Sequence, residues 1–456
     1  MASSRSDALI FFGATGDLAH KQIWPALLAL TKSDRLEMPV IAIGRKEIGT
    51  DSIRQKARES IEQAGPFDAD AFARLSRRLS YVSVDYDQPR TFEGIKKAIG
   101  SACRPLSYVA LPPDTFERVA ANLAHAGLAE DGRLVLEKPF AHDGQSAKLL
   151  SEALHRFFSE SALFRIDHYL GKEQVENLVY FRASNPLFEA SWNREQVDSV
   201  EITMAERFGV KGRAEFYDSV GAIRDVVQNH LLEVVACLAM ELPSERGHAA
   251  LRSERSRLLG QVATLAPEDL IRAQVRGYTN EDGVAKDSRT ETFAALRLFI
   301  DSPRWAGVPF YIRTGKSLSV SATDATLRFK AAGRPVLDDR RAPGPNWLRF
   351  RLSPDNVIVL GANLKVPGEA EQGQPGEFVL HRSSAGALAP YERLLGDALD
   401  GDATLYAERR AVEECWRVFD AALKSDFELY QYDEGSWGPD EAARVAPRAG
   451  WTNFLP

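Results

Sequence analysis

The sequence predicts an α/β domain followed by an α+β domain: first a doubly wound parallel sheet, then a large, mostly antiparallel sheet with helices. Three observations predict it. The chain has 456 residues, too many for one hydrophobic core. Over roughly residues 1–165, short apolar runs alternate with stretches of helical apolar spacing, the pattern of parallel β-α units. Beyond residue 190, strand-like segments follow one another with few helices between them, as in α+β domains. The two domains are accordingly expected at 1–165 and 166–456.

The first strand is read in "DALIFFG", and "HKQIWPALLALTKS" after it carries helical apolar spacing. "PVIAIG" (39–44) and "RLSYVSVDY" (78–86) are the second and third strands, with a charged helical stretch between them. "LSYVALPP" (106–113) and "RLVLEKPF" (133–140) follow, separated by the helix "TFERVAANLAHAG". In the second half "VDSVEITMAER" (197–207) alternates like an antiparallel strand, and a helix is expected over about 222–241. Further strands are expected within 288–301, 309–315, 324–331, 347–353 and 356–366. "VPGEAEQGQPGE" (366–377) reads as a loop, the tip of a hairpin excursion.

Composition excludes several classes. A net charge of −7 leaves no basic footprint for nucleic acid. The three cysteines, Cys103, Cys237 and Cys415, are odd in number and far apart, which fits reduced thiols rather than a disulfide framework. No stretch approaches 18 uncharged apolar residues, so no membrane span is expected, and the start "MASSRS" leads into no signal-like apolar region. The expectation is a cytoplasmic protein without a metal site.

In "IFFGATGDLAHKQ" a glycine turn joins the first strand to the first helix. A side chain at Gly13 would block the tight turn. One at Gly16 would hold a pyrophosphate away from the helix N-terminus, where free N–H groups favour an anion. Thr15, Asp17 and Leu18 complete this candidate cofactor segment, although a strand-to-helix turn can need glycines for geometry alone. Arg45 ends the second strand where an NAD-binding Rossmann unit places an acid. A guanidinium there grips a 2′-phosphate and favours NADP. Glu47, two residues on, keeps NAD possible.

"RIDHYLGKE" (165–173) gathers Asp167, His168, Tyr169 and Lys172. If the chain turns helical after Asp167, His168 and Lys172 share a face, with the Tyr169 hydroxyl nearby, and suit a phosphate monoester. A structural network at a domain junction would use the same residue types. His230 lies on the apolar side of the expected helix. A core histidine is the commoner reading there, and a catalytic one needs a carboxylate to fix its tautomer, for which Asp167 is the natural candidate. Glu206 and Asp225 can bind hydroxyl groups, capping or surface roles being the default. Lys138, held extended before Pro139 at a strand end, and Lys316 in "RTGKSL" are candidate anion contacts, though each lysine taken singly is more often solvated.

"GATGDLA", "EKPF", "RIDHYLGKE", "AIRDVVQNHLLE" and "VPFYIRTGKSL" resemble the signature segments of glucose-6-phosphate dehydrogenases. "GDATLYAERRAVEECWRVFD" and "YDEGSWGP" are similar to that family too, so the likeness spans nearly the whole chain. The resemblance implies an NADP-binding Rossmann-like domain, then a substrate-binding and dimerisation domain. It implies oxidation of β-D-glucose 6-phosphate at C1 to 6-phospho-D-glucono-1,5-lactone. His230 would be the base and Asp167 its orienting partner. His168, Tyr169 and Lys172 would hold the phosphate, Glu206, Asp225 and Lys316 the sugar, and Lys138 would lie between sugar and cofactor. A homodimer or homotetramer is implied as well.

The sequence departs from the family pattern at Gln22 and Ser321, where basic residues are usual, and at Trp24 and Ala141. A weaker grip on phosphate is therefore expected. Two other functions remain open: a related dehydrogenase acting on another sugar or sugar phosphate, and a catalytically weak NADP-binding paralogue.

Overall fold

The computed structural model describes residues 5–245, 247–331, 344–368, 373–382 and 386–453. It divides into two compact units. The first is the chain up to Glu173 together with two later segments, Pro243–Ser253 and Leu388–Glu413. The second is Gln174–Leu242, Glu254–Ala387 and the chain from Glu414 onward. The division is thus not a single cut, because two stretches return to the first unit.

The first unit is built on β1 (Ala8–Phe12), β2 (Val40–Gly44), β3 (Leu79–Ser83), β4 (Pro105–Val109), β5 (Arg133–Leu136) and β6 (Leu163–Ile166). These pair in parallel in the order β6-β5-β4-β1-β2-β3. β1, β2 and β4 are buried along their whole length, which is why β1 and β2 are unbroken apolar runs and β4 carries only the small Ser107 among apolar residues. The strand order reverses at β1 and β4, where ligands bind in sheets of this kind.

A short strand from the returning segment, Tyr406–Ala407, closes the β6 edge in antiparallel register. The Tyr406 ring meets Phe164 edge-on at 4.9 Å, and its hydroxyl donates to the Leu394 carbonyl at 2.5 Å. Leu394 lies on the returning helix Pro390–Asp400. From the same helix the Tyr391 hydroxyl donates to the Glu137 carboxylate at 3.5 Å, while Tyr108 of β4 donates to its other oxygen. Burial pushes the Glu137 carboxyl from the ordinary 4.5 up to about 7, against the opposing pull of Tyr108 and Lys138.

The second unit holds β7 (Val197–Ala205), β8 (Leu270–Val275), β9 (Phe293–Leu298), β10 (Phe310–Gly315), β11 (Ala322–Phe329), β12 (Trp347–Ser353), β13 (Asn356–Lys365) and β14 (Gly373–Arg382). With the edge strand Leu429–Tyr432 they form one sheet ordered β14-β13-β12-β11-β7-β10-β9-β8-edge. Pairing is antiparallel except between β7 and β10 and between β8 and the edge strand. β8 has no counterpart in the sequence reading. β7 does not alternate, since eight of its nine residues are buried. The hairpin expected near 366–377 exists, but β14 already begins at Gly373, so the described part of that stretch is partly strand.

The helix expected at 222–241 runs from Ile223 to Ala239, and its first part, Ile223–Leu231, is π-helical. It follows the helix Ala214–Ala222, which breaks at Gly221 with φ +69°. A Cβ at Gly221 would lie 2.6 Å from the Glu291 carboxylate. That carboxylate accepts from the Ile223 N–H at 3.0 Å, and the Glu291 carbonyl accepts from the Ala222 N–H at 2.9 Å. The glycine lets Glu291 sit on the start of the helix that carries His230. No disulfide joins Cys103, Cys237 and Cys415. Among the described residues no helix is long and apolar enough to cross a membrane.

Because folding raises the Glu137 pKa, its neutral form is the one the native state favours. That contribution is complete below about pH 4.5 and is lost as pH rises through about 7. Glu137→Gln is neutral at every pH, so its melting temperature is expected to fall less than that of the wild type between about pH 5 and 8. Calorimetry on both proteins checks this, and parallel pH profiles would reject it.

Candidate active site

In the first unit the glycine turn leaves β1 with Gly13 at φ +77°, and a Cβ there would meet the Ala110 carbonyl oxygen at 2.2 Å. Only glycine lets the chain pass so close to the end of β4. Gly16 donates its N–H to the Gly13 carbonyl at 2.9 Å, and the helix begins at Asp17. Thr15, Gly16 and Asp17 are exposed and Leu18 is half-buried, so the turn offers open backbone at a helix start. Trp24 is buried below it and donates its indole N–H to the Ala14 carbonyl at 3.1 Å. Lys21 pairs with Asp17 at 3.1 Å on the surface, and Gln22 is exposed beside it.

Arg45, Lys46 and Glu47 are all exposed just past β2. The backbone there is pinned by Tyr81, whose hydroxyl donates to the Lys46 carbonyl at 2.6 Å, and by Ser83, which donates to the Arg45 carbonyl at 3.2 Å. An open glycine turn and an exposed arginine on a pinned backbone fit a dinucleotide carrying a 2′-phosphate.

Asp167 is the first residue past β6 and is buried. Its carboxylate accepts the Tyr169 N–H at 2.9 Å, its carbonyl accepts the Leu170 N–H, and the Tyr169 carbonyl accepts the Lys172 N–H. The expectation of a helix after Asp167 is therefore corrected. Residues 168–171 form turns, and the helix starts only at Glu173. Gly171 sits tightly on the returning helix: a Cβ there would meet Leu394 at 3.0 Å and the Pro390 carbonyl at 3.2 Å. The turn still brings its side chains together. The Lys172 ammonium lies 3.7 Å from the centre of the buried Tyr169 ring, and the His168 ring meets Tyr169 edge-on at 5.3 Å. Lys138, half-buried, follows Glu137 at the end of β5, and the Lys138–Pro139 bond is cis.

In the second unit Glu206 and Lys316 follow β7 and β10 directly. Those strands are parallel, with Ala205 opposite Gly315, so both side chains leave at the same sheet edge. The buried Lys316 ammonium donates to the Glu206 carboxylate and lies 3.8 Å from Asp225. Arg213 donates to the same Asp225 oxygen at 3.1 Å. Phe208 and Tyr217 face the ammonium with ring centres at 5.3 and 5.5 Å. Burial and then the Asp225 charge push the Tyr217 phenol well up. His230 is buried, and its backbone N–H donates to the Asn229 side chain at 2.6 Å. In a π-helix residues five apart succeed one another along the axis, so Asp225 and His230 lie on one face, which α-helical spacing would not give. Ser321 accepts the Arg207 N–H at 2.9 Å, next to Glu206.

Sequence reasoning missed Arg213, Tyr217, Glu291, Glu137 and Tyr391. Tyr391 stands 254 residues after the carboxylate it meets, and no spacing rule spans that distance.

Two family models match nearly the whole chain: the glucose-6-phosphate dehydrogenase NAD binding domain over residues 10–177 and the C-terminal domain of the same family over residues 179–452. Glucose-6-phosphate 1-dehydrogenase 1 of Mycobacterium tuberculosis is 38% identical over 99% of this chain and 97% of its own length. The crystal structure of glucose-6-phosphate 1-dehydrogenase from Mycobacterium avium aligns with a TM-score of 0.93 at 40% identity, covering 99% of both chains. A glucose-6-phosphate dehydrogenase in complex with glucose 6-phosphate aligns with a TM-score of 0.91 at 32% identity over the full length of both. The chain belongs to the glucose-6-phosphate dehydrogenase family.

Proposed function

We propose that the chain oxidises β-D-glucose 6-phosphate at C1, giving 6-phospho-D-glucono-1,5-lactone, with NADP as the acceptor. The observation that carries the reading is the turn after β6. It joins a buried carboxylate to an imidazole and an ammonium, in a chain that matches both domains of this dehydrogenase family.

His168, Tyr169 and Lys172 hold the 6-phosphate, the ammonium being steered by the Tyr169 ring. Glu206 and Asp225 accept hydrogen bonds from sugar hydroxyls, and Lys316 orients both carboxylates. His230 takes the proton of the C1 hydroxyl as hydride leaves C1. Asp167 orients that imidazole and stabilises its cation. Gly13, Thr15, Gly16, Asp17 and Leu18 cradle the pyrophosphate, Arg45 grips the 2′-phosphate, and Lys138 stands between sugar and cofactor. NADP, when bound, supplies the hydride acceptor.

We further propose a homodimer or homotetramer joined through β14. This edge strand exposes Phe378, Val379 and Leu380 in succession, so both of its faces are apolar and open, which invites a second copy of the chain.

Three measurements check these assignments. His230→Asn is expected to lower kcat by about 10²- to 10⁴-fold while NADP still binds; a variant retaining more than roughly a tenth of the rate would remove His230 as the base. Arg45→Ala is expected to weaken NADP by about ten- to a hundredfold and NAD far less. Equal loss for both cofactors would show that Arg45 does not read the 2′-phosphate. Leu380→Glu is expected to lower the mass seen by light scattering, and an unchanged assembly would place the interface elsewhere.

A further inference from the structure

We propose that Glu137 and Tyr391 are positioning residues for the reaction, a buried carboxylate and a half-buried phenol that together fix Lys138. The inference rests on the role assigned above to that lysine.

Glu137 is only 7% exposed, and it immediately precedes Lys138 at the end of β5. A buried carboxylate is costly unless each oxygen finds a donor. Here each oxygen has one, and the donors come from different elements: Tyr108 from β4 and Tyr391 from the returning helix. Tyr406, on the returning strand, and Lys138 itself are the other titratable groups whose fields reach this carboxylate. Burial first, then the Glu137 charge, and last the Asp167 charge raise the Tyr391 phenol.

The consequence is mechanical. A carboxylate held at both oxygens fixes the backbone where the chain leaves β5, and with it the direction in which Lys138 departs. Glu137 lies behind the lysine rather than beside the substrate, so it acts through Lys138. Burial brings its carboxyl to about 7, so glutamine reproduces a form that the native protein already populates.

The test is steady-state kinetics on the full-length enzyme with glucose 6-phosphate and NADP. The variants are Glu137→Ala, Glu137→Gln, Tyr391→Phe, Lys138→Ala and the double variant Glu137→Ala/Lys138→Ala. Glu137→Ala is expected to lower kcat by about ten- to a hundredfold with KM for glucose 6-phosphate moving less than about threefold. Glu137→Gln should recover most of that loss. Tyr391→Phe should cost several-fold in kcat, and the double variant should be no slower than Lys138→Ala alone. Wild-type kcat in Tyr391→Phe overturns the proposal, and that isosteric variant decides the matter if Glu137→Ala fails to fold. Multiplied losses in the double variant also overturn it, because Glu137 would then act independently of Lys138. A fully active Lys138→Ala instead removes the role of the lysine itself, and the inference falls with it.

Discussion

Parallel strand pairing is the constraint on which the placement of the functional side chains depends. Parallel strands deliver their C-terminal ends to one edge of a sheet, and the residue after each strand emerges there. Gly13 follows β1, Arg45 follows β2, Glu137 and then Lys138 follow β5, and Asp167 follows β6. The second unit uses the same device once inside a largely antiparallel sheet, where β7 and β10 run together and present Glu206 and Lys316 side by side. Asp225 and His230 are the exceptions, carried on a helix whose π-helical start puts them on one face.

The two candidate clusters differ in charge. The turn after β6 gathers Lys172 and His168 around an aromatic ring, and its carboxylate is partly spent on holding its own backbone. The cluster at β7 and β10 balances Lys316 and Arg213 against Glu206 and Asp225. A cationic group suits a phosphate, whereas a neutralised array of donors and acceptors suits hydroxyls. A sugar phosphate presents both kinds of group. Lys316 is itself buried, and the Glu206 and Asp225 carboxylates both stand beside its ammonium.

Much of this was legible in the sequence, for physical reasons that vary by residue. β1 and β2 announce themselves because burial on both faces demands continuous apolar runs. The glycine turn is legible because only a residue without Cβ fits against Ala110. The condition of a helix straight after Asp167 is not met, because the shape of the turn at 168–171 is decided by Gly171 resting on Leu394 and Pro390, more than two hundred positions away. The π-helical start of the His230 helix escaped because apolar periodicity was matched only to α-helical spacing, while Gly221 and Glu291 set the backbone there. The Glu137 network escaped for the same reason as the turn: its second donor arrives on the returning segment.

That returning segment has a consequence for how the protein is made. Tyr406 pairs with Ile166, so the β6 edge waits for about 240 more residues to be synthesised. At roughly 5–20 residues per second, the ribosome takes some 10 to 50 s to supply them. Throughout that interval the nascent chain carries an unpaired strand edge of the kind that templates misassembly. The Glu137 carboxylate meanwhile lacks the donor that Tyr391 will bring. Completion of the cofactor-side sheet is thereby tied to near-complete translation of the chain.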